Sequence, residues 1–330
     1  MQGIQNNPFY IVDEMINGIL LAHGDIYEAT SNSRVLKYRK APISGKVGLV
    51  TGGGSGHEPS FLGYVGKNLI DAVAVGDIFS SPTPKDFYDA IVSANSGKGV
   101  LCLCGNYKGD EFNLGIAIDM AREKGILVGQ IAANDDVASA PFEKMENRRG
   151  NCGIVFLWKV AGAMAAEGCS MEEVMEMVGR TKENCRSIGI GLQPCTIPAA
   201  GKPNFQINKG FMEFGIGHHG EPGVKSMKLE TAVGMAELML KSVLPELQLR
   251  EGDEISMILS GLGSTTLMEQ YVLFNELQRM LRARRLILYK PQIGNYFTSL
   301  DMKGVTLTVL KLDSEIKHLL DVRANTIAYR

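Results

Sequence analysis

Long apolar runs are missing from this 330-residue chain. With them goes the usual signature of a helix that spans a bilayer. The nearest approach, Gly150 to Gly168, is interrupted by Lys159 and carries Glu167 near its end. Charge of one sign is missing as well. Lys plus Arg number 34 and Asp plus Glu 36, a net charge of −2, so no concentrated basic face for nucleic acid is expected. The opening Met-Gln-Gly-Ile-Gln-Asn-Asn-Pro has neither the basic nor the apolar region of a secretory signal, which points to the cytoplasm. Six cysteines (Cys102, Cys104, Cys152, Cys169, Cys185, Cys195) are scattered through mostly apolar settings, and none joins a cluster with zinc-ligand spacing. Reduced, buried thiols and no metal are the expectation.

Phosphate signatures are also wanting. No Gly-Lys-Ser/Thr triplet follows the glycines at Gly52 to Gly56, as a Walker loop would require. Gly261-Leu-Gly263 supplies two of the three glycines of a dinucleotide fingerprint. Asp135-Asp136 is a weak candidate for a kinase's metal-binding pair. No nucleotide site is expected on this chain.

What the chain does contain is a βαβ pattern. An amphipathic helix is predicted over residues 9–24 from Tyr10, Ile11, Met15, Ile16, Ile19 and Leu20. Strands follow at Val47–Thr51, Leu69–Gly76, Val100–Cys104 and Ile126–Ile131, separated by helices near Asp86 and from Phe112 to Lys124. Each strand ends in Gly, Ser, Asn or Asp, which lines one sheet edge with polar residues, the ligand edge of such folds. Ser81-Pro82-Thr83-Pro84 stops one strand and offers Thr83 or Ser81 as the next helix cap. Arg148-Arg149 is expected at the surface. The Pro- and Gly-rich stretch Gly191–Pro203 lies just past a domain junction. The length suits two domains, set at residues 1–185 and 186–330. Further strands are expected at Glu254–Ser260, Leu286–Tyr289 and Val305–Leu310, the last alternating as an antiparallel or edge strand would.

Two glycine-rich stretches stand out. Thr51-Gly-Gly-Gly-Ser-Gly-His57-Glu-Pro59 reads as a tight strand-to-helix turn, and Met212-Glu-Phe-Gly-Ile-Gly-His218-His219-Gly-Glu-Pro-Gly223 has the same character. Only five histidines occur in the chain, and three lie in these stretches. A neutral imidazole is both base and nucleophile, suited to adding to a carbonyl or taking a hydroxyl proton. Asp110, after a strand and beside a glycine, is placed to orient a histidine or share the proton.

These stretches, with Ser81-Pro-Thr-Pro84, Asn106-Tyr-Lys-Gly-Asp110, Arg148-Arg-Gly150, Thr196-Ile-Pro-Ala-Ala-Gly-Lys-Pro203 and Asn295–Met302, resemble the dihydroxyacetone kinase family, in its substrate-binding K subunit. The resemblance covers nearly the whole chain. It implies two α/β domains, the first a Rossmann-like, mostly parallel sheet and the second a mixed sheet, in a cytoplasmic homodimer. It implies that His219 adds to the ketone carbon as a hemiaminal, and that His57 and Asp110 act as acid/base groups on the phosphorylated hydroxyl. Backbone at Gly53 and Gly54 and the hydroxyl of Ser81 would hold sugar oxygens. ATP or ADP with Mg2+ would sit on a separate L subunit, the phosphate arriving as ATP or from a phosphotransferase M subunit.

One departure bears on substrate. Family members carry a lysine before Asn-Tyr that bonds a substrate hydroxyl; here Gly105 stands in that place and Lys108 lies three residues on. A longer ketose, such as a tetrulose, is the expectation. His218 stands where an apolar residue is common. A different role, as a ketose-sensing transcriptional co-activator without phosphotransfer, needs only His219, and retention of His57 and Asp110 argues against it. A carbonyl reductase fails for want of a dinucleotide fingerprint.

Overall fold

A computed structural model describes residues 3–329. The elements in chain order are α1 (Ile11–Ala22), β1 (Tyr27–Ala29), β2 (Val35–Tyr38), β3 (Gly48–Ser55), β4 (Ala72–Ile78), α2 (Pro84–Ala94), β5 (Val100–Gly105), α3 (Lys108–Glu123) and β6 (Val128–Ala133). Next come α4 (Ile154–Ala166), α5 (Met171–Glu183), β7 (Cys185–Gln193), β8 (Thr196–Ile197), β9 (Lys202–Pro203), β10 (Phe211–Phe214) and β11 (Lys225–Lys228). The chain closes with α6 (Ala232–Val243), β12 (Glu254–Gly261), α7 (Leu267–Ala283), β13 (Ile287–Leu288), β14 (Gln292–Gly294), β15 (Lys303–Lys311) and α8 (Ser314–Asp321).

Two compact units share these elements, and they are not consecutive halves of the chain. One holds Met1–Ala133, Phe156–Arg180 and His318–Arg330; the other holds Asn134–Val155 and Thr181–Lys317. The division differs from a single cut after residue 185 for a physical reason. The Asp135 carboxylate accepts N–H bonds from Asn151 (2.9 Å) and Gly153 (2.8 Å) and a hydroxyl bond from Ser187. Val137 donates its N–H to the Ser187 carbonyl at 3.0 Å, so the segment after β6 is stitched to β7 and leaves the first unit.

In the first unit the sheet runs β1-β2-β4-β3-β5-β6. The four strands β4, β3, β5 and β6 are parallel, while β1 and β2 extend the edge antiparallel. On one face Val50, Ala72, Ala74, Val100 and Cys102 bury against Phe87 and Ile91 of α2 and Leu114 and Ile118 of α3. Trp158 of α4 is fully buried; its indole N–H donates to the Leu103 carbonyl (3.3 Å), and its ring packs against Tyr64 and Phe61. Thr83, not Ser81, caps α2: its hydroxyl takes the Asp86 N–H, Asp86 answers to the Thr83 N–H, and Pro84 sits at the first helical position.

The run Gly52-Gly53-Gly54 is not a turn. It is strand, the second half of β3, and of its glycines only Gly56, beyond the strand, has a left-handed φ (100°). The protein's own atoms require the missing Cβ groups. A Cβ on Gly53 would lie 2.2 Å from the Phe61 ring, and one on Gly52 would lie 2.5 Å from the Phe87 ring. On Gly54 it would lie 2.7 Å from the Ser80 nitrogen. Gly53→Ala is therefore expected to destabilise the fold by about 1–3 kcal/mol in denaturant unfolding. Gly179→Ala, in α5 with nothing within 4 Å of the new methyl, is expected to stabilise it by about 0.5–1 kcal/mol.

The second unit is built on a mixed sheet ordered β11-β10-β7-β15-β12-β13, with β14 also beside β12. β15 is antiparallel, as its alternation predicts, but it is no edge strand. It runs between β7 and β12, antiparallel to both, because Val305, Leu307 and Val309 face a core shared with α6 and α7. α7 begins at a capping box of Thr266 and Glu269.

Candidate functional site

The polar edge of the first unit gathers several of the sequence-derived residues. His57 follows β3 directly and is buried, its ring stacked on Phe79 (centroids 5.0 Å apart, 24° between planes) and edge-on to Phe61 (6.4 Å, 86°). Both carboxylate oxygens of Glu58 take the Gly56 N–H at 3.1 Å. Burial nevertheless pushes the Glu58 carboxyl above its usual range, against those bonds. Gly54 lies against Phe79 and Ser80, the residues that precede Ser81.

Asp110 is in the first turn of α3, where the helix dipole favours a carboxylate. It is buried, and its field helps burial hold the Cys104 thiol well above the ordinary thiol range. Ser81 approaches this turn: a Cβ on Gly109 would stand 3.6 Å from the Ser81 Cβ, and the Asn113 amide donates to the Pro82 carbonyl at 2.9 Å. Gly53, Gly54, His57, Ser81 and Asp110 thus all lie at or beyond the carboxyl ends of parallel strands, with the Ser81 loop packed on the start of α3.

The second unit carries His219 on the loop from Gly215 to Gly223 that follows β10. Its side chain is 28% exposed. Nδ1 meets Glu221 Oε1 at 2.9 Å, and the His219 backbone N–H donates to Glu221 Oε2 at 2.9 Å. Gly217 N–H bonds the Glu221 carbonyl (3.1 Å), and the Asn204 amide donates to the His219 carbonyl (2.7 Å), which closes the loop around the ring. Burial would push the Glu221 carboxyl up, but bonds from His219 and the nearby Arg149 guanidinium outweigh it and bring the group to about 2. An ionised carboxylate only accepts, so Nδ1 is the donor of that pair, and in the neutral ring Nε2 then carries the lone pair.

Neighbouring His218 is a different kind of group. It is buried, tilted on Phe297 (centroids 4.3 Å apart), and its carbonyl takes the Ser299 hydroxyl. Burial, with the field of His219, drives its imidazole down to about 3, so it is neutral at any ordinary pH. The two adjacent histidines therefore divide into a packed core ring and a half-exposed, oriented one.

Several expectations change. Arg148 is buried, not at the surface. Its guanidinium pairs both oxygens of Glu246 (2.6 and 2.8 Å) and donates to the Ala140 carbonyl, and Arg186 joins the same carboxylate at 2.9 Å. Arg149 is mostly buried too, held on Asp136. Asp135 and Asp136 are taken up by backbone amides, Ser187 and Arg149. Among the described residues no group of three or more His, Cys, Asp or Glu side chains is arranged to hold a metal. All six cysteines are free thiols, and burial raises Cys102 to about 12. The residue that meets Nδ1 of His219 is Glu221, two residues on. The His-Gly-Glu spacing carries that signal in the sequence; nothing local points to Arg149.

The model of the Dak1 domain matches residues 17–328, and the chain belongs to that family. It is 38% identical over 330 residues to a Listeria innocua protein named as the dihydroxyacetone-binding subunit DhaK of a PTS-dependent dihydroxyacetone kinase, with all of both chains covered. It is 37% identical to a D-erythrulose kinase of Mycolicibacterium smegmatis, where all of this chain covers 57% of the relative. Among solved structures, a dihydroxyacetone kinase operon co-activator, Dha-DhaQ, superposes with a TM-score of 0.90 at 32% identity, covering 96% of this chain and 98% of that one.

Proposed function

We propose that this chain is the substrate-binding subunit of a kinase for dihydroxyacetone or a related short ketose. The observation that carries the reading is the His219–Glu221 pair in a family whose full-length relative is named as a dihydroxyacetone-binding subunit. Nε2 attacks the ketone carbon; the N–C bond forms as the C=O π pair moves to oxygen, which takes up a proton. The ring is then an imidazolium whose Nδ1–H still faces Glu221, and loss of that proton gives the neutral hemiaminal. Such a tether selects carbonyl compounds over glycerol, whose hydroxyls are similar but which has no electrophilic carbon.

His57 and Asp110 serve as acid/base groups on the terminal hydroxyl, and Gly53, Gly54 and Ser81 hold sugar oxygens. The chain acts as a homodimer in the cytoplasm. A separate L subunit brings ATP or ADP with Mg2+, and its phosphate comes either as ATP or through an M subunit. Family membership and the named relatives support this arrangement. The test is carbon NMR of protein mixed with ketose labelled at its carbonyl. A carbonyl resonance replaced by an sp3 one is expected, and an unchanged carbonyl signal at saturating protein would refute the reading.

The co-activator structure favours a second reading, a ketose sensor that transfers no phosphate. Turnover with an L subunit separates the two. Substrate length follows from Gly105, at the end of β5. A glycine there removes a donor and leaves room, so erythrulose is expected to be phosphorylated with a higher kcat/KM than dihydroxyacetone. Gly105→Lys is expected to reverse the order by roughly tenfold. A preference for the triose in the unaltered protein would count against a tetrulose.

A further inference from the structure

We propose that Arg149 is a positioning residue: anchored on Asp136, its guanidinium holds the Glu221 carboxylate where it receives the Nδ1 proton of His219 as a hydrogen bond, leaving Nε2 as the nucleophile. The proposal rests on the reading of His219 as the ketose-binding group. Its geometry lies within the second unit. Nε and one terminal nitrogen of Arg149 meet Asp136 Oδ2 at 3.1 and 2.9 Å, a terminal N–H also reaches the Gly215 carbonyl at 3.3 Å, and the other terminal nitrogen stands 4.0 Å from Glu221 Oε2. Asp136 is itself fixed by the Ala138 N–H (3.0 Å), and its own N–H donates to the Arg149 carbonyl (3.1 Å). The Arg149 N–H is bonded to Ser139 Oγ at 2.9 Å.

Charge alternates outward along this row. Asp136 is 1% exposed, Arg149 16%, Glu221 30% and His219 28%. A buried anion therefore pins a cation, the cation faces a second anion, and that anion orients the ring. Space enforces the contact. A Cβ on Gly217 would fall 2.2 Å from Glu221 Oε2 and 2.6 Å from an Arg149 nitrogen, so backbone, carboxylate and guanidinium close on one another at the base of the His219 loop. Among the described residues, Glu221 and the neutral His218 on the His219 loop and Arg149 from the 134–149 segment are charged or titratable groups of this cluster; the field of Arg149 reaches both Glu221 and His218. Removing the partner that orients a metal-ligating histidine typically costs ~10–100-fold in affinity or activity, and the same scale is expected for an oriented nucleophile.

The test is nitrogen NMR of the imidazoles in the full chain, with ketose affinity as a second readout. In the unaltered protein His219 is expected as a single tautomer with the proton on Nδ1. Arg149→Met is expected to give a mixture of tautomers and ketose binding weaker by ~10–100-fold. Arg149→Lys, which keeps the charge but not the fork, is expected to recover part of both. Because Arg149→Met leaves Asp136 buried and uncompensated, the charge-balanced pair Asp136→Asn with Arg149→Met is measured beside it. A folded variant lacking the guanidinium that keeps the single Nδ1 tautomer and full ketose affinity would overturn the proposal. A protein that binds no ketose would instead refute the reading of His219, while the tautomer still decides the part played by Arg149.

Discussion

His219→Gln is expected to lose the ketose adduct and to lower kcat/KM with a matching L subunit by roughly 10³-fold or more. Fixing a substrate by a covalent bond replaces a bimolecular encounter with an oriented, effectively unimolecular step, and well-oriented intramolecular reactions reach effective molarities far above any ketose concentration. Glutamine keeps a polar group near Glu221 but supplies no lone pair able to add to a carbonyl. The internal control is one residue away. His218→Asn touches a ring that is buried against Phe297 and already neutral, so the adduct resonance should persist in it. Its signature lies in acid stability.

In the folded chain the His218 imidazole titrates near 3, against 6.5 for an ordinary one, so between those pH values the unfolded chain binds the extra proton. Stability from this group is fully present above about 6.5 and is lost as pH falls toward 3. His218→Asn should flatten that part of the unfolding profile relative to the unaltered protein. An adduct that survives His219→Gln and vanishes in His218→Asn would reverse the assignment.

The adjacent histidines also show how far the sequence could be read. Local pattern was enough for the βαβ succession and narrowed the α2 cap to Thr83 or Ser81, since each depends on residues within a few positions. It also marked His57, Asp110 and His219 as candidates, through motifs of several residues in order. The structure brings Gly54, Ser81 and the Asp110 turn together at one edge, as strand ends in a parallel sheet must be.

Elsewhere the deciding partner is remote. Gly52 to Gly54 look like turn glycines because flexibility is the local reading of glycine. Their actual requirement comes from Phe87 of α2, Ser80 in the loop after β4 and Phe61 in the segment between β3 and β4, whose approach to the strand no local pattern shows. Arg148 looks like a surface charge until Glu246, 98 residues away, supplies its counter-ion. β15 alternates like an edge strand because Thr306 and Thr308 stand between its apolar residues, yet those threonines are buried as well. The split into units was hidden for the same reason. The bonds from Asn151, Gly153 and Ser187 to Asp135 that draw residues 134–155 across leave no compositional mark.

Asp110→Asn and His57→Gln are expected to lower kcat by ~10²–10⁴-fold while leaving the labelled ketose adduct intact, since general acid/base assistance contributes on that scale. His219 gives a different pattern, and the contrast is what assigns roles. A tether residue lost removes adduct and turnover together; a proton-transfer residue lost removes turnover alone. Asparagine preserves the volume of Asp110 in the first turn of α3 but removes the negative charge favoured there and the capacity to take a proton. The His57 ring is clasped by Phe79 and Phe61, so glutamine costs packing as well, and the unfolding midpoint must be recorded beside the rate.

If the two side chains act on the same proton, the double substitution should fall little below the worse single one, because groups that work as a unit are strongly non-additive. Independent losses that multiply would place them on separate steps. Turnover unaffected by either change, in a protein that still forms the adduct, would remove the acid/base assignment. Absence of turnover in the unaltered chain with its L subunit, alongside a strong adduct, would transfer the protein to the sensing role that its co-activator relative is named for.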